Sequence, residues 1–442
     1  MPTTYRPYDP DQLLLLPPSL NEWLPEDHLA WFVSDAVDAL DLRAFHARYE
    51  GDGRRRQPFD PSMMVKVLVY AYASGVFSSR KIARSLEQDV AFRVLGAGNF
   101  PAHRTIREFR QLHLNEFSLL FVQVVQLARE AGLVKLGRIG LDGTKIKANA
   151  SKRKAMSYGR MQERERQLKA EIAELTRQAE QQDASEDRVH GKARRGDELP
   201  GELARRETRL RTIQAAKARL EERQRQADQA AGRSQDDEGN TRGPGGGICK
   251  RPFGQPEPKA QENFTDPQSR IMKTGHGFDQ CYNAQAAVDE SGLIVATEVG
   301  TAGNDTHALV PMVRATQENV GALPQMTLAD SGYASEANFA ALEAMQVPAC
   351  VAQAREGGKV RPIDPQKHPA SQRMAERLAS AEGQAHYRRR KVIPEPVFGW
   401  IKQAMGFRQF SLRGLPQVNG EWNLVCLALN LRRLHRLGAM PA

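Results

Sequence analysis

Through the first 130 residues, apolar positions recur at helical spacing. Asp60-Pro61 reads as a helix start, since aspartate caps and proline suits the first turn. Met64, Val67, Leu68, Ala71 and Tyr72 then follow at three- and four-residue steps until Gly75. Ser78 or Ser79 can cap the next helix, which carries Ile82 and Leu86 on one face and Arg80, Lys81 and Arg84 on another. A third short helix is predicted over 90–95, before Gly96 and Gly98 break it. Thr105-Ile106-Arg107-Glu108 fits a capping box opening a helix through Phe109 and Leu112, with Arg104, Arg107 and Arg110 around its start. Short helices with basic first turns fit a helix-turn-helix-like DNA-binding bundle, and equally an ordinary bundle with solvated arginines.

The period changes at 137–146, where Arg138, Gly140, Asp142 and Thr144 alternate with Ile139, Leu141 and Ile146, the pattern of a strand carrying one carboxylate. A charged interruption follows. Leu168, Ile172, Leu175 and Ala179 recur at helix spacing, and Leu203, Leu210, Ile213 and Leu220 take heptad-like positions among charged residues. With a polar loop expected at 182–200, this reads as an antiparallel coiled-coil hairpin serving as a structural arm or dimer contact. Residues 232–260 read as a flexible Gly/Pro-rich linker. The glycines at 243–247 lack the Lys-Ser/Thr of a phosphate loop, and Cys249 beside them has no ligand partners.

Regular structure resumes as a hairpin of strands at 283–288 and 293–299. Asn304 or Asp305 is expected to cap a helix through Leu309, Met312 and Val313, a role preferred for Asp305 over that of a fourth acid. A strand at 325–330 ends on Asp330, a helix runs through Phe339, Leu342 and Met345, and a fifth strand covers 349–354. Val397, Ile401 and Met405 share one face of a helix beginning near Glu395. Strand, long insertion, two strands, helix, strand, helix, strand, helix is the order of a ribonuclease H-like core split after its first strand. The expected class is therefore α/β: a mixed five-stranded sheet interrupted by a helical hairpin and preceded by an all-α region. The expected divisions are 1–130 (helical, DNA-binding), 131–150 (first part of the core), 151–231 (arm), 232–262 (linker) and 263–442 (remainder of the core with basic C-terminal helices).

Charge refines the picture. The formal +10 of the 442 residues divides into −6 over 1–50, +8 over 51–150, +5 over 151–250, −7 over 251–350 and +10 over 351–442. Two basic blocks around an acidic one look like phosphate-binding surfaces around something that needs carboxylates. There is no run of about 18 apolar residues for a membrane span. The leucines at 13–16 are too short a run for a secretory signal. Four scattered cysteines without a CxxC pair argue against a disulfide or zinc scaffold and fit a reducing cytoplasm.

Three acids stand out by placement. Asp142 lies on the first strand, Asp330 at the end of the fourth, and Glu395 at the start of the last helix. In a ribonuclease H-like sheet the first and fourth strands are neighbours and the last helix crosses them, so these carboxylates converge. Such a cluster needs a cation. Mg²⁺ takes oxygen ligands, and Mn²⁺ can substitute. Two ions about 3.5–4 Å apart suit in-line displacement at a phosphodiester. Asp279 and Asp289 read as turn or hairpin residues. His276 and His307 are isolated, and His386 sits beside Tyr387 where DNA contact is open to it. Lys145, just past Asp142, would sit near a bound phosphate.

The surrounding residues resemble a known family. Leu141-Asp142-Gly143-Thr144-Lys145, Leu328-Ala329-Asp330-Ser331-Gly332-Tyr333 and Tyr387…Arg390…Glu395…Lys402 are similar to the DDE transposases of bacterial insertion sequences, in the branch with a tyrosine, arginine, glutamate and lysine signature. Tyr282-Asn283-Ala284-Gln285 and the segment 397–408 resemble it too. The general signature puts three residues between arginine and glutamate, which selects Lys391, whereas Arg390 keeps the gap after Tyr387; either can supply a cation to phosphate. The resemblance implies binding of double-stranded DNA at the element's terminal inverted repeats, then cleavage and transfer to target DNA by Asp142, Asp330 and Glu395 with two Mg²⁺ ions. It also implies phosphate contacts from Tyr387, Arg390, Lys391, Lys402 and Lys145, and end recognition through Arg80, Lys81, Arg104 and Arg107. A homodimer joining two ends and a cytoplasmic, nucleoid-associated location are further expectations. The rivals are a ribonuclease H-like nuclease that cuts without joining, and a transposase-derived DNA-binding protein that has lost catalysis.

Overall fold

The computed structural model describes residues 19–49, 58–190, 201–234, 241–242, 248–275, 277–354, 358 and 362–438. The leucines at 13–16, the glycine string at 243–247 and His276 lie outside them. The chain opens with helices α1 (Leu29–Asp38), α2 (Arg43–Ala47), α3 (Pro61–Ala73), α4 (Ser79–Gln88), α5 (Val90–Gly96), α6 (His103–Leu112) and α7 (Leu114–Glu130). At the start of α3 the Asp60 carboxylate accepts from Met63 N at 2.9 Å and Pro61 fills the first turn. Asp89 caps α5 in the same way. Helix α6 departs from its expected start at Thr105: it begins two residues earlier, from an extended Ala102 with no side-chain cap. Burial of Ile106, Phe109 and Arg110 sets its phase, so tertiary packing overrides the local capping pattern.

Strand β1 (Arg138–Lys147) and the short β2 (Ala155–Ser157) lead into the arm, helices α8 (Tyr158–His190) and α9 (Gly201–Ala230). Helix α8 runs through 182–190, expected as loop; the Gln, Glu, Asp, Ala and Arg there include strong helix formers. Tyr158, Met161 and Leu168 face Ile213, Ala216 and Leu220 along the seam. Glu165–Lys217 (3.0 Å) and Glu171–Arg206 (2.9 Å) flank it. The expected linker holds one small strand pair and, at its end, a strand that pairs outside it. Strand β3 (Thr241–Arg242) pairs with β4 (Ile248–Cys249), and β5 (Gln261–Asn263) pairs with β2. Gly254 N also donates to Asp228 Oδ2 at 2.9 Å, tying this segment to the base of the arm.

The remaining elements are β6 (Arg270–Thr274), β7 (Gly277–Asp289), β8 (Ile294–Gly300), α10 (Leu309–Val320), β9 (Met326–Ala329), α11 (Glu336–Ala344), β10 (Ala349–Val351), α12 (Pro369–Ala379), α13 (Ala381–Tyr387), α14 (Pro394–Gly399) and α15 (Leu415–Arg436). A π-helical turn, Trp400–Ala404, continues α14. The main sheet runs β10-β9-β1-β7-β6, with β8 also on β7. Strands β1, β9 and β10 are parallel, and every pairing with β7 is antiparallel. The sheet is therefore mixed, as expected, with one strand more: β6 buries only Met272, too weak an alternation to read as a strand. Asp279, expected in a turn, lies within β7 and meets Lys147 and Lys152, each at 3.3 Å.

Helix α15 is buried nearly all round and packs against α3, α7 and β8. Its Trp422 Nε1 donates to Gln285 O at 2.9 Å. One hydrophobic core thus joins the N-terminal helices to the sheet. No helix among the described residues is long and apolar enough to cross a membrane.

Candidate active site

Strand β1 presents two different faces. Gly140, Asp142 and Thr144 share one, Gly143 and Lys145 the other. On the first face, a Cβ at Gly140 would stand 2.6 Å from Pro394 Cδ, and Lys402 Nζ donates to Thr144 Oγ1. Helix α14 and its π turn therefore lie along β1, with Asp142 between their two contacts. The register Arg138↔Met326 to Gly140↔Leu328, carried two residues further, sets Asp330 beside Asp142 on the adjacent parallel strand. Asp330 leaves β9 in extended conformation and accepts from Gly332 N at 2.8 Å, which caps the turn Ser331–Tyr333. Asp142 accepts from its neighbour's amide, Gly143 N, at 2.8 Å.

Burial is the main reason the Asp142 carboxyl is pushed up to about 6. Asp330 and Asp305 raise it further by like charge, while the Gly143 amide and Arg390 oppose the rise. Glu395, in the first turn of α14, is half exposed and lies 3.7 Å from Arg390 Nη2. The structure thus brings Asp142 and Asp330 together and holds Glu395 at the mouth against a guanidinium. Among the described residues, no three His, Cys, Asp or Glu side chains are grouped to hold a metal ion. The donor chemistry nevertheless suits a hard divalent cation, for Asp142, Asp330 and Glu395 offer only oxygen ligands.

Arg390 and Lys391 now separate. Arg390 is 12% exposed and turned toward Glu395 and Asp142, while Lys391 faces the surface. Tyr387 is half-buried at the end of α13. His386 accepts from Arg138 Nε at 2.9 Å, an internal partner. Burial lowers the Lys402 ammonium, and Asp142 resists that shift. Lys145 Nζ reaches Asp305 Oδ1 at 3.4 Å.

Sequence reasoning misplaced Asp305. It precedes the turn Thr306–Ala308 but caps neither that turn nor α10 with its side chain. Instead its Oδ1 accepts from Asn283 Nδ2 and Gln285 Nε2, both at 2.6 Å, and Tyr333 OH donates to Gln285 Oε1. The available signal was in β7, where Asn283 and Gln285 are polar residues two apart in an otherwise buried strand.

Away from this site, Arg80 and Lys81 are exposed on α4. Arg104 and Arg107 are exposed on α6, sharing Glu108 at 3.4 and 3.6 Å. Arg110, on the same helix, is buried and donates to Tyr72 OH and Phe77 O, each at 2.9 Å.

Residues 249–431 match the family model described as transposase DDE domain, and residues 18–112 match that described as transposase domain (DUF772). No curated protein and no solved structure matches the chain. Asp330 and Glu395 fall inside the first match. Asp142 falls outside both, so its place rests on the geometry of β1.

Proposed function

Because the chain belongs to the DDE transposases of insertion sequences, we propose that it binds the terminal inverted repeats of its element, cuts the DNA there and joins the freed ends to target DNA. The reading is carried by Asp142 on β1 standing level with Asp330 just past the end of the adjacent parallel strand β9, beneath the helix whose first turn carries Glu395. Those three carboxylates would hold divalent cations, Mg²⁺ or Mn²⁺. Such ions supply Lewis-acid activation of the attacking oxygen and neutralise charge on the leaving one.

The chain's own residues do the rest. Arg390, freed from Glu395 by an incoming phosphate, binds that phosphate beside Asp142. Lys402, anchored on Thr144, fixes the π turn to β1 and adds positive charge facing Asp142. Tyr387 and Lys391 line the approach of the backbone, and Lys145, on the other face of β1, adds positive charge nearby. In the first reaction a water oxygen displaces the 3′-oxygen at the element end. In the second, the resulting 3′-hydroxyl oxygen displaces a 3′-oxygen of the target. Positioning and charge neutralisation carry such chemistry without a general-base histidine.

The helices within residues 1–130 serve as the DNA-binding domain, presenting Arg80, Lys81, Arg104 and Arg107 to the repeats. A homodimer at the nucleoid would bring two ends together. The test is incubation of labelled element ends with a supercoiled plasmid and Mg²⁺. Joined products are expected; cutting alone identifies a nuclease, and binding without cutting a protein that has lost catalysis.

A further inference from the structure

Asp305 has an arrangement that capping does not explain. Three donors converge on its Oδ1: Asn283 Nδ2, Gln285 Nε2 and Lys145 Nζ. The commitment of the Asn283 amide has a cost, since its Oδ1 is buried with no hydrogen-bond partner. Turning that amide over would set its oxygen against the carboxylate, so the orientation is determined by Asp305. Two glycines make the space. A Cβ at Gly143 would lie 2.7 Å from Asp305 Oδ1. One at Gly332 would lie 3.1 Å from Asp305 Oδ2 and 2.9 Å from Asp330 Oδ1. Asp305 is therefore wedged between the strand segment that carries Asp142 and the turn that carries Asp330.

The same segment is laced to that turn. Thr306 Oγ1 donates to Gly332 O at 3.0 Å. Asn338 Nδ2 donates to Thr306 O at 2.6 Å and to Tyr333 O at 2.8 Å. Tyr333 closes the circuit on Gln285. The bonds join β1, β7 and the Asp330 turn around one carboxylate whose Oδ2 faces the Asp330 side.

Resting on the reading of Asp142 and Asp330 as cation-holding carboxylates, we propose that Asp305 is a positioning residue for that pair. Its anchored Oδ1 sets the spacing of β1 and the Asp330 turn, and its charge deepens the negative potential in which a divalent cation sits. Partners of this kind, behind the ligands themselves, typically change metal affinity by about 10- to 100-fold.

Asp305→Asn keeps an oxygen for the Asn283 and Gln285 amides and removes the charge. Mn²⁺ binding to the full chain, followed by electron paramagnetic resonance, is compared with the Mg²⁺ concentration that half-saturates cleavage. D305N should weaken Mn²⁺ binding about tenfold and raise half-saturating Mg²⁺ by a similar factor, while cleavage at saturating Mg²⁺ stays within a few-fold of wild type. Asn283→Ala, which removes one anchor and leaves the charge, should shift both in the same direction by a smaller factor, and carries the test if D305N does not fold. Wild-type Mn²⁺ affinity in the folded variant overturns the proposal. The controls D142N and D330N separate the two ideas. If they cleave normally the carboxylate reading itself fails; if they are inactive while D305N binds Mn²⁺ normally, only the role of Asp305 fails.

Discussion

Gly140→Ala tests how helix α14 is seated on β1. The backbone at Gly140 is extended strand, so alanine brings no conformational strain there. Its Cβ, however, would stand 2.6 Å from Pro394 Cδ, 3.1 Å from Pro394 Cγ and 3.2 Å from Ile393 Cγ2. Carbon atoms settle at about 3.5–4.0 Å, so the proline ring, which cannot rotate away, must retreat by about 1 Å. Overpacking of this kind costs about 1–3 kcal/mol. Glu395 is the next residue and moves with Pro394, and a misplacement of about 1 Å can slow a reaction about 100-fold. The assay pairs thermal unfolding with cleavage of labelled ends. Gly399→Ala is the control in the same helix: its Cβ meets open space, so α14 should gain about 0.5–1 kcal/mol and keep activity. Cleavage by G140A within threefold of wild type would refute the seating of Glu395 by this contact.

Other expectations follow from the same structure. Arg110→Ala removes the buried cation that meets Tyr72 OH, which in turn donates to the buried Glu421, and should cost about 3–5 kcal/mol in denaturant unfolding. Exchanging Arg80 and Lys81 together for glutamate should leave stability unchanged, weaken repeat binding and lower the salt slope of the affinity by about 2, read by fluorescence anisotropy across ionic strength. His113 is fully buried and its imidazole is pushed down to about 4, chiefly by burial. The unfolded chain takes up that proton near 6.5 and the folded one only near 4, so stability should fall by about 3 kcal/mol on acidification through this window. His113→Phe should flatten that part of a pH series of unfolding curves.

Asp142 and Asp330 were legible as candidates through their joint placement in the strand order and the motifs around them, signals that depend on neighbours in the chain. Asp305 was not. Asn304-Asp305-Thr306 looks locally like a cap, and only β7 supplies the donors that claim the carboxylate instead. Helix α15 was expected only as part of the basic C-terminal helices, without bounds, for a related reason: Trp422 and the residues at 424–429 are buried on every side, so no period marks them as helix or strand. Strand β6 exposes Ile271 and buries only Met272, leaving its pairing with β7 as its signature. Arg110 shows the opposite trap. A basic residue spaced with Arg104 and Arg107 reads as a surface arginine like them, although its helix turns it into the core.

The central claim is that Asp142 and Asp330 act as one cation-holding pair, and one measurement tests it directly: Mg²⁺-dependent cleavage and strand transfer by Asp142→Asn and Asp330→Asn, each with repeat binding measured in the same buffer. The account predicts that both variants bind the repeats as wild type does and lose cleavage and transfer together by about 100- to 1,000-fold, the scale of removing charge stabilisation at a reacting centre. Either variant joining ends to target DNA at the wild-type rate would contradict it.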